Sequence, residues 1–406
     1  RNDGTGELVQ TETTRETKVI DGVTCIVSHD RSTVDGELEE DTLDYFAQDK
    51  FGNVWYFGED TKEFEDGKVV STEGSWRAGV DGAAPGIIME AHPHVGDDYD
   101  QEHAPGVAED HAKVVSLSAL VESPYASSDH ALETDETTPL EPGALEHKFY
   151  IAGVGLVSTT DANDPESIEE LVRITFAGTS DGDTFNGNIG PDRINGFAGD
   201  DHLDGGIGRD IVRGGRGSDV LDGGKDSDAD LLYGNQGNDK ISLRAHDQGF
   251  GGSGTDTLRL LDDGRFGVVN GGEQQGHDLG RTTGDILQFA GGLDLTKAGV
   301  SERITHIETL AMTGSGHDHL TLAARDVLDI GDGDLNPAVS GKDTWGTGDA
   351  VRVEGGAGDQ LTLTGGNWHE VEDVKNVPAN HDVFARQTSA GIAYVVVDED
   401  VQVHLT

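Results

Sequence analysis

The chain has 406 residues, which is long enough for two or three domains rather than one. Its 78 acidic and 28 basic residues give a formal net charge of −50, which excludes ordinary affinity for nucleic acid and argues against an anionic membrane surface as partner. Such acidity is typical of a chain that binds cations or is adapted to high salt, and its apolar runs are too short to span a membrane.

Residues 1–176 are expected to form an antiparallel β-domain, either a barrel or a sandwich. Runs rich in β-branched and aromatic residues alternate with turn signals such as Asp21-Gly22, and Asp66-Gly67 predicts a two-residue hairpin. A short helix is predicted in NDPESIEELV, because Pro165 follows Asp164 and acidic residues occupy the first turn.

An acidic stretch of this region, EAHPHVGDDYDQEHAPGVAEDHA, collects four histidines. His92 and His94 form an H-x-H pair, which on a strand places both imidazoles on one face. This pattern indicates a transition-metal site with His103 as a further ligand and His111 nearby. The alternative is a set of surface histidines in an acidic loop, because Pro93 opposes a strand.

From Gly178 the sequence repeats every nine residues with the pattern G-G-x-G-x-D-x-U-x, in which U is a large apolar residue. Seven contiguous units occupy residues 178–242, one of them extended to eleven residues, and an eighth occupies 251–259. The period predicts a parallel β-roll over residues 177–259, in which two units make one turn and the U side chains form a thin core. The predicted core side chains are Phe185, Ile194, Leu203, Val212, Leu221, Leu232, Ile241 and Leu258.

Each unit places an aspartate beside a glycine-rich turn whose carbonyl groups can point inward. Calcium takes about six to eight hard oxygen ligands, so one turn supplies about half a site and the turn stacked on it supplies the rest. The expected carboxylate ligands are Asp183, Asp201, Asp219 and Asp239 on one edge, Asp192, Asp210 and Asp230 on the other, and Asp256 in the resumed unit. The glycines expected to offer backbone carbonyls are Gly187, Gly196, Gly205, Gly206, Gly208, Gly214, Gly215, Gly217, Gly223, Gly224, Gly234 and Gly237.

Several structural calcium ions are therefore expected. Without them, stacked carboxylates roughly 5 Å apart repel each other, and a core one residue thick does not compensate for that repulsion. The segment is expected to be disordered without calcium and to fold on binding it. The competing interpretation, an acidic disordered linker, does not explain why aspartate and the apolar residue stay in phase over seven contiguous units.

These units resemble the RTX family, the hemolysin-type calcium-binding repeats of bacterial proteins exported by type I secretion. The resemblance covers residues 178–259 and implies a parallel β-roll, one ion between successive turns on each side, and release in unfolded form into a calcium-rich exterior. Two units depart from the family pattern, since Thr179 and Asp181 in the first and Asp226 in the extended one stand where glycine is usual.

Residues 260–406 keep short alternating strands between Gly/Asp turns, which predicts further solenoid turns or a β-sandwich-like module, with a short helix in TLAARDVLDI. This section is similar to the C-terminal modules of secreted adhesins and exoproteins with such repeats, and the resemblance implies a type I export signal at its end, VVVDEDVQVHLT. The N-terminal region is similar to a domain of bacterial envelope and secreted proteins that has no assigned activity.

The expected fold class is all-β, with an N-terminal antiparallel barrel or sandwich, a central parallel β-roll and a C-terminal β-solenoid or sandwich-like module. The expected function is that of a secreted calcium-binding protein for extracellular binding or assembly, as an adhesin or a matrix, surface-layer or filament component. Its expected partners are calcium ions and cell-surface or matrix components, or further copies of the chain. The alternative is an exoenzyme, a hydrolase with its active site in residues 1–176, although the sequence contains no HExxH or G-x-S-x-G motif.

Overall fold

The computed structural model describes residues 6–262, 265–272, 284–314, 316–330, 338–339, 349–372, 374–375, 377 and 380–406. The chain folds into two compact units, Arg1–Arg173 and Ile174–Thr406. Both are built of β-strands, and the second contains parallel sheets, so the prediction of an all-β chain with a parallel β-roll is confirmed. Within the described ranges, no helix has the length and apolar character that crossing a bilayer requires.

The first unit consists of two antiparallel sheets. Its strands are β1 (Glu7–Ile20), β2 (Val23–Val34), β3 (Glu37–Gln48), β4 (Val54–Glu65), β5 (Lys68–Ser71), β6 (Trp76–Arg77), β7 (Ala84–Met89), β8 (Asp98–Asp100), β9 (Glu102–His103), β10 (His111–Glu122), β11 (Ser127–Thr137), β12 (Glu146–Ile151), β13 (Gly155–Asp161) and β14 (Ile168–Glu170). One sheet has the order β1-β2-β3-β4-β7-β9, with β5 and β6 also paired to β4. The other has the order β14-β13-β12-β11-β10-β8.

The hairpin turns of the first unit follow the predicted signals. Asp21 and Gly22 join β1 to β2 with φ values of 46° and 80°, and Asp66 and Gly67 join β4 to β5 with φ values of 51° and 70°. Two consecutive positive φ values are the geometry of a two-residue type I′ turn, whose twist matches that of the flanking strands. Both predicted turns are confirmed.

The core of the first sheet is aromatic. Tyr56 stacks on Phe46 with ring centroids 4.8 Å apart and meets Trp76 edge-on at 5.5 Å. Cys25 is fully buried in the same cluster, and burial raises the pKa of its thiol. Its side chain is therefore a core element of this sheet.

The second unit contains the repeats and everything that follows them. Its strands are β15 (Ile174–Ala177), β16 (Thr184–Asn186), β17 (Asp192–Ala198), β18 (His202–Asp204), β19 (Ile211–Arg216), β20 (Val220–Asp222), β21 (Leu231–Gln236), β22 (Lys240–Leu243), β23 (Gln248–Ser253), β24 (Thr257–Leu260), β25 (Val269–Gly272), β26 (Ile286–Phe289), β27 (Gly292–Asp294), β28 (Ile304–Thr305), β29 (Thr309–Met312), β30 (His319–Ala323), β31 (Ala338–Val339), β32 (Asp349–Glu354), β33 (Gln360–Thr364), β34 (His369–Glu370), β35 (Val374–Lys375), β36 (His381–Gln387), β37 (Ile392–Asp398) and β38 (Gln402–Leu405).

Two long parallel sheets form the roll, with strands alternating between them along the chain. One sheet runs β15-β17-β19-β21-β23-β25-β28, and the other starts β16-β18-β20-β22-β24-β26-β29-β32-β37 and ends with the antiparallel strands β36 and β34. In the second of these sheets Leu203, Leu221, Ile241 and Leu258 stack in register, each fully or almost fully buried. The predicted thin core of U side chains is confirmed at these positions.

The parallel ladders continue beyond the last nonapeptide unit. Leu258 is followed in register by Leu287, Leu310 and Val353, all fully buried. A third parallel sheet, β27-β30-β33-β38, adds to the same apolar core, and β31 pairs with β35. Buried apolar side chains from Ile194 to Val401 thus form one large core, with a smaller second cluster around Tyr394. The predicted division into domains at residues 177 and 260 stays a prediction.

Of the two short helices that the sequence predicts, one forms. Helix α1 spans Ala324–Ile330, inside TLAARDVLDI, and a 3-10 turn spans Ser301–Arg303. The helix expected after Pro165 is wrong, because Ile168–Glu170 instead pairs antiparallel with Ser158–Thr160 at the edge of a sheet. Pairing at the sheet edge outweighs a weak local preference for helix.

Candidate metal sites along the roll

Aspartates at the sixth position of the repeats lie buried beside the turns. Asp183 is half-buried, whereas the later ones expose no more than 2% of their surface. The buried set is Asp192, Asp201, Asp210, Asp219, Asp230, Asp239 and Asp256. Burying a carboxylate is costly unless hydrogen bonds and a counter-charge compensate for it.

Hydrogen bonds between stacked turns arrange these aspartates in two rows. The backbone N–H of each aspartate donates to Oδ1 of the next aspartate in its row, across 2.7 to 2.9 Å. One row is Asp183, Asp201, Asp219, Asp239 and Asp256, and the other is Asp192, Asp210 and Asp230. The rows agree with the two expected edges, and Asp256 joins the first of them.

The second carboxylate oxygen sets five of these residues apart. In these five, which we call the open aspartates, Oδ2 is buried and accepts no hydrogen bond from the residues that the structure describes. The open aspartates are Asp201, Asp210, Asp219, Asp239 and Asp256. A buried anionic oxygen without a hydrogen-bond donor is strongly disfavoured unless a cation contacts it.

The first glycine of most units lies where a carboxylate and a carbonyl converge. A β-carbon added to Gly196 would lie 2.0 Å from Asp201 Oδ2 and 2.6 Å from the carbonyl oxygen of Gly214, in the turn stacked on it. A β-carbon added to Gly205 would lie 2.6 Å from Asp210 Oδ2 and 2.4 Å from the carbonyl oxygen of Gly223. Carboxylate and carbonyl oxygens are the ligands that calcium prefers, so these residues fit the ion.

The remaining glycines of the expected set take up two roles. Gly187 and Gly234, like the first glycines already described, lie against Oδ2 of the aspartate in their own unit. The other six have positive φ values between 101° and 134°, and they are Gly206, Gly208, Gly215, Gly217, Gly224 and Gly237. The tight turn therefore requires glycine both for close approach and for its backbone conformation.

Burial also changes the pKa values of the aspartates in the two rows. It raises the pKa of Asp219 and Asp256 to about 6 and of Asp210 and Asp239 to about 7, partly opposed by the backbone hydrogen bonds. Burial and the neighbouring Asp247 and Asp210 raise the pKa of Asp230 to about 9. The charged carboxylates are thus disfavoured by the protein alone, and a bound cation would favour them.

The rows extend through acidic residues that the nonapeptide pattern does not include. Asp230 donates its N–H to Asp247, and Asp256 donates its N–H to Asp285, which in turn donates to Glu308. A separate pair joins Asp318 to Asp359 at 3.0 Å. The signal that identifies several of them is the triplet D-x-L, as in Asp285-Ile286-Leu287, Asp318-His319-Leu320 and Asp359-Gln360-Leu361.

Histidines of the first unit are only partly brought together. Asp100 contacts both His103, at 3.5 Å, and His111, at 2.8 Å. His94 contacts Asp97 instead, at 3.5 Å, and His92 is exposed. The expected transition-metal site at His92, His94 and His103 stays a prediction.

Two other clusters of the described residues group a histidine with two acids closely enough to share an ion. Glu133, Asp135 and His147 lie on β11 and β12, and all three are half-buried. Glu354, His381 and Asp398 lie on β32, β36 and β37, and His381 Nε2 is 3.1 Å from Glu354. In this second cluster Arg352 lies 3.6 Å from Glu354, so a positive charge already contacts one of its carboxylates.

Residues 177–258 match the family model of the RTX calcium-binding nonapeptide repeat (4 copies), in the overlapping segments 177–212, 205–241 and 226–258. This part of the chain is an RTX repeat array of the calcium-binding β-roll type, and proteins with such repeats are typically secreted. Searches of curated proteins and of solved structures found no match to the chain. The resemblances of residues 1–176 and 260–406 to other secreted proteins stay predictions.

Proposed function

We propose that this chain is an extracellular protein in which several calcium ions fold and stiffen the roll, while the first unit serves binding or assembly. The observation that carries the calcium role is the set of open aspartates, whose buried Oδ2 atoms have no donor among the described residues. The match to calcium-binding repeats supports the same ion.

The chain's own groups account for the choice of calcium. Carboxylate oxygens such as Asp219 Oδ2 and carbonyl oxygens such as that of Gly214 are hard ligands, and stacked turns offer them from two sides. Calcium would supply the positive charge that lets neighbouring aspartates of one row ionise together. Thiolates and imidazoles, which softer metals prefer, are not part of the repeat pattern.

Calcium-dependent folding suits an exported chain. A roll whose carboxylates repel each other without the ion stays unfolded where calcium is scarce and folds where calcium is plentiful. The typical secretion of RTX repeat proteins supports an extracellular location for this one.

For the first unit we propose a role in contact with other molecules, as in an adhesin or a matrix, surface-layer or filament component. It carries its own counter-charges, since Lys18 and Arg77 pair with Asp60 and Lys148 pairs with Glu136. It can therefore present a folded surface independently of the ions that the roll requires.

Circular dichroism during a calcium titration of the full chain tests the folding role. We expect β-structure to increase from excess chelator to millimolar calcium and to stay at the chelator value when magnesium replaces calcium. Unchanged spectra across the titration would contradict the proposal.

Size-exclusion chromatography and electron microscopy in calcium test the assembly role separately. Sheets, filaments or discrete oligomers that disappear on chelation would support it. A chain that stays monomeric in calcium and binds neither cell surfaces nor matrix polymers would refute it while leaving the calcium role intact.

A further inference from the structure

Ten aspartates in the turns of the second unit fall into two classes that differ in what contacts Oδ2. In the open aspartates this oxygen accepts no hydrogen bond from the described residues. In a second class, which we call the self-capped aspartates, Oδ2 accepts the backbone N–H of a residue three or four positions earlier in the chain. These bonds run from Thr179 to Asp183 (2.5 Å), Asn188 to Asp192 (2.6 Å), Arg244 to Asp247 (2.7 Å), Gly314 to Asp318 (2.6 Å) and Gly356 to Asp359 (2.8 Å).

The two classes occupy different parts of the roll. All five open aspartates lie in nonapeptide units between residues 196 and 259. The self-capped aspartates lie in the first two units, residues 178–195, or outside the nonapeptide pattern altogether. Both classes share the hydrogen bond between stacked turns, as Asp201 to Asp219 and Asp318 to Asp359 show, so stacking alone does not separate them.

The backbone conformation four residues before the aspartate separates the classes. For every open aspartate this residue has a positive φ, and these residues are Phe197 (71°), Gly206 (101°), Gly215 (121°), Asn235 (75°) and Gly252 (112°). Thr179, Asn188 and Gly314, which cap their aspartates, do not have positive φ. The angle φ sets the direction of a residue's N–H relative to the chain that follows it, so the left-handed conformation turns the N–H away from Oδ2. In Gly206 this N–H instead donates to Asp204 at 3.0 Å.

Phe197 shows that the left-handed conformation is not simply a consequence of glycine. An aromatic residue with φ of 71° is strained, and the side chain is 58% exposed, so core packing does not hold it there. Strain of this kind persists where the surroundings impose it, commonly at a functional site. Here the strained residue keeps the N–H of its turn away from Asp201 Oδ2.

We propose that this conformation decides which aspartates bind calcium, so that interior turns hold the ions and self-capped turns fold without them. The inference rests on the proposed role of calcium in the roll. In a self-capped turn the N–H hydrogen contacts the oxygen that the ion would use and directs a partial positive charge toward it. Asp183 and Asp192, which the repeat pattern predicts as ligands, are then structural residues of a calcium-independent end of the roll.

Counting bound calcium on variants of the full chain tests the proposal. Native mass spectrometry or equilibrium dialysis in saturating calcium should show at least one ion fewer per chain for Asp219→Asn than for the unchanged protein. The matched variant Asp359→Asn removes a buried carboxylate that, like that of Asp219, accepts a backbone hydrogen bond from the stacked turn. Asp192→Asn removes a buried carboxylate that accepts the N–H of Asn188. Both should retain the full number of ions, and thermal unfolding in calcium identifies any variant that fails to fold.

A second pair of variants tests the conformation itself at an exposed side chain. Phe197→Gly keeps the left-handed conformation accessible and should leave calcium binding unchanged. Phe197→Val opposes it, because β-branched residues rarely adopt positive φ, and should weaken one calcium site by about tenfold.

The outcomes separate this inference from the proposed function. Loss of an ion in Asp192→Asn or Asp359→Asn, or equal calcium binding by Phe197→Gly and Phe197→Val, would overturn the distinction between the two classes while leaving calcium in place. An unchanged protein that binds no calcium would overturn the proposed function together with this inference.

Discussion

The first unit and the roll both contain carboxylates that are partly or fully shielded from solvent, but their surroundings differ. In the first unit Asp60 accepts hydrogen bonds from Tyr45 (2.7 Å) and Lys18 (3.1 Å) and contacts Arg77. In the roll the surroundings that act on Asp219 are backbone N–H groups and other aspartates. Asp60 is thus an internal ion-pair partner, whereas Asp219 is, on our proposal, a ligand for an external ion.

The length of the strands explains why the two regions are stabilised in different ways. β4 has twelve residues and contributes Tyr56 and Phe57 to an aromatic core. β20 has three residues and buries only Leu221. One aliphatic side chain contributes about 1.5–3 kcal/mol on burial, whereas ordering each residue of a turn costs about 1–2 kcal/mol. A nine-residue unit with one core side chain therefore depends on further interactions, which the ions would supply.

Removing calcium should give the largest difference in stability between the two regions. With excess chelator, amides of residues 178–259 are expected to lose protection from hydrogen exchange by about a hundredfold or more, because the aspartate rows then repel. Amides of β1 to β4 should keep their protection. Hydrogen exchange with mass spectrometry measures both in one sample, and an equal ionic strength of magnesium salt controls for screening of the −50 charge. Equal loss in both regions would show that the first unit also depends on calcium.

Glycines of the two regions should respond differently to a methyl group. A β-carbon at Gly217 would lie 1.9 Å from the carbonyl oxygen of Gly199 in the stacked turn, whereas one at Gly67 would have nothing within 4 Å. Gly217→Ala should therefore destabilise the roll by about 3 kcal/mol or more, and Gly67→Ala should cost only the strain of its positive φ, about 1 kcal/mol. Urea unfolding in saturating calcium measures both. Similar losses would mean that the stacked turns shift easily to accept a side chain.

The roll within residues 178–259 could be predicted from the sequence because most of its units keep the same nine-residue period. Nine residues separate Asp201 from Asp210 and Leu203 from Val212, so ligand, core residue and turn keep one phase. After residue 259 the same stacking continues, but the chain between successive rungs varies. Asp256 and Asp285 are 29 residues apart, and Asp318 and Asp359 are 41 apart. Because the intervening loops differ in length, the nine-residue period is lost. Only short triplets such as D-x-L remain as a sequence signal.

The difference between open and self-capped aspartates could not be read from composition. It depends on the φ angle of the residue four positions before the aspartate. A positive φ at that position can be predicted only where the residue is glycine. Asn188 and Asn235 are both asparagines at the second position of their units, yet only Asn235 is left-handed. The same residue type at the same position of the unit thus adopts two conformations, which only the folded chain distinguishes.

The stability of the first unit should fall as pH rises, owing to carboxyl groups that lack a cation. Burial raises the pKa of Asp44 and Glu59 to about 7 and that of Glu102 to about 8, with nearby acids such as Glu40 and Asp110 adding to it. A raised folded pKa contributes stability below the unfolded value, near 4, that is lost as pH rises through 7 to 8. For Asp44, a pKa raised from near 4 to about 7 corresponds to a loss of about 4 kcal/mol.

Asp44→Asn tests this dependence, because its amide oxygen can still accept the hydrogen bond that Tyr56 Oη donates at 2.6 Å. Urea unfolding of the full chain in calcium, followed through amide protection of β3 and β4, should show a shallower decline between pH 5 and 8 in the variant than in the unchanged protein. Glu39→Gln, which changes an exposed carboxylate of β3, is the matched control. An identical slope in Asp44→Asn and the unchanged protein would contradict the assignment.

The contribution of Asp60 to the stability of the first unit should depend on pH in the opposite direction and should be smaller. Burial alone would raise its pKa, but hydrogen bonds from Tyr45, Arg77 and Lys18 outweigh burial and lower it. A lowered folded pKa contributes stability above the unfolded value, near 4, that is lost as pH falls through the folded pKa. The side chain is 33% exposed, so solvent screening limits the contribution to about 1 kcal/mol. Asp60→Asn should cost that amount at pH 7 and progressively less below pH 4 in urea unfolding, whereas a cost that persists in acid would mean that packing, not charge, makes Asp60 important.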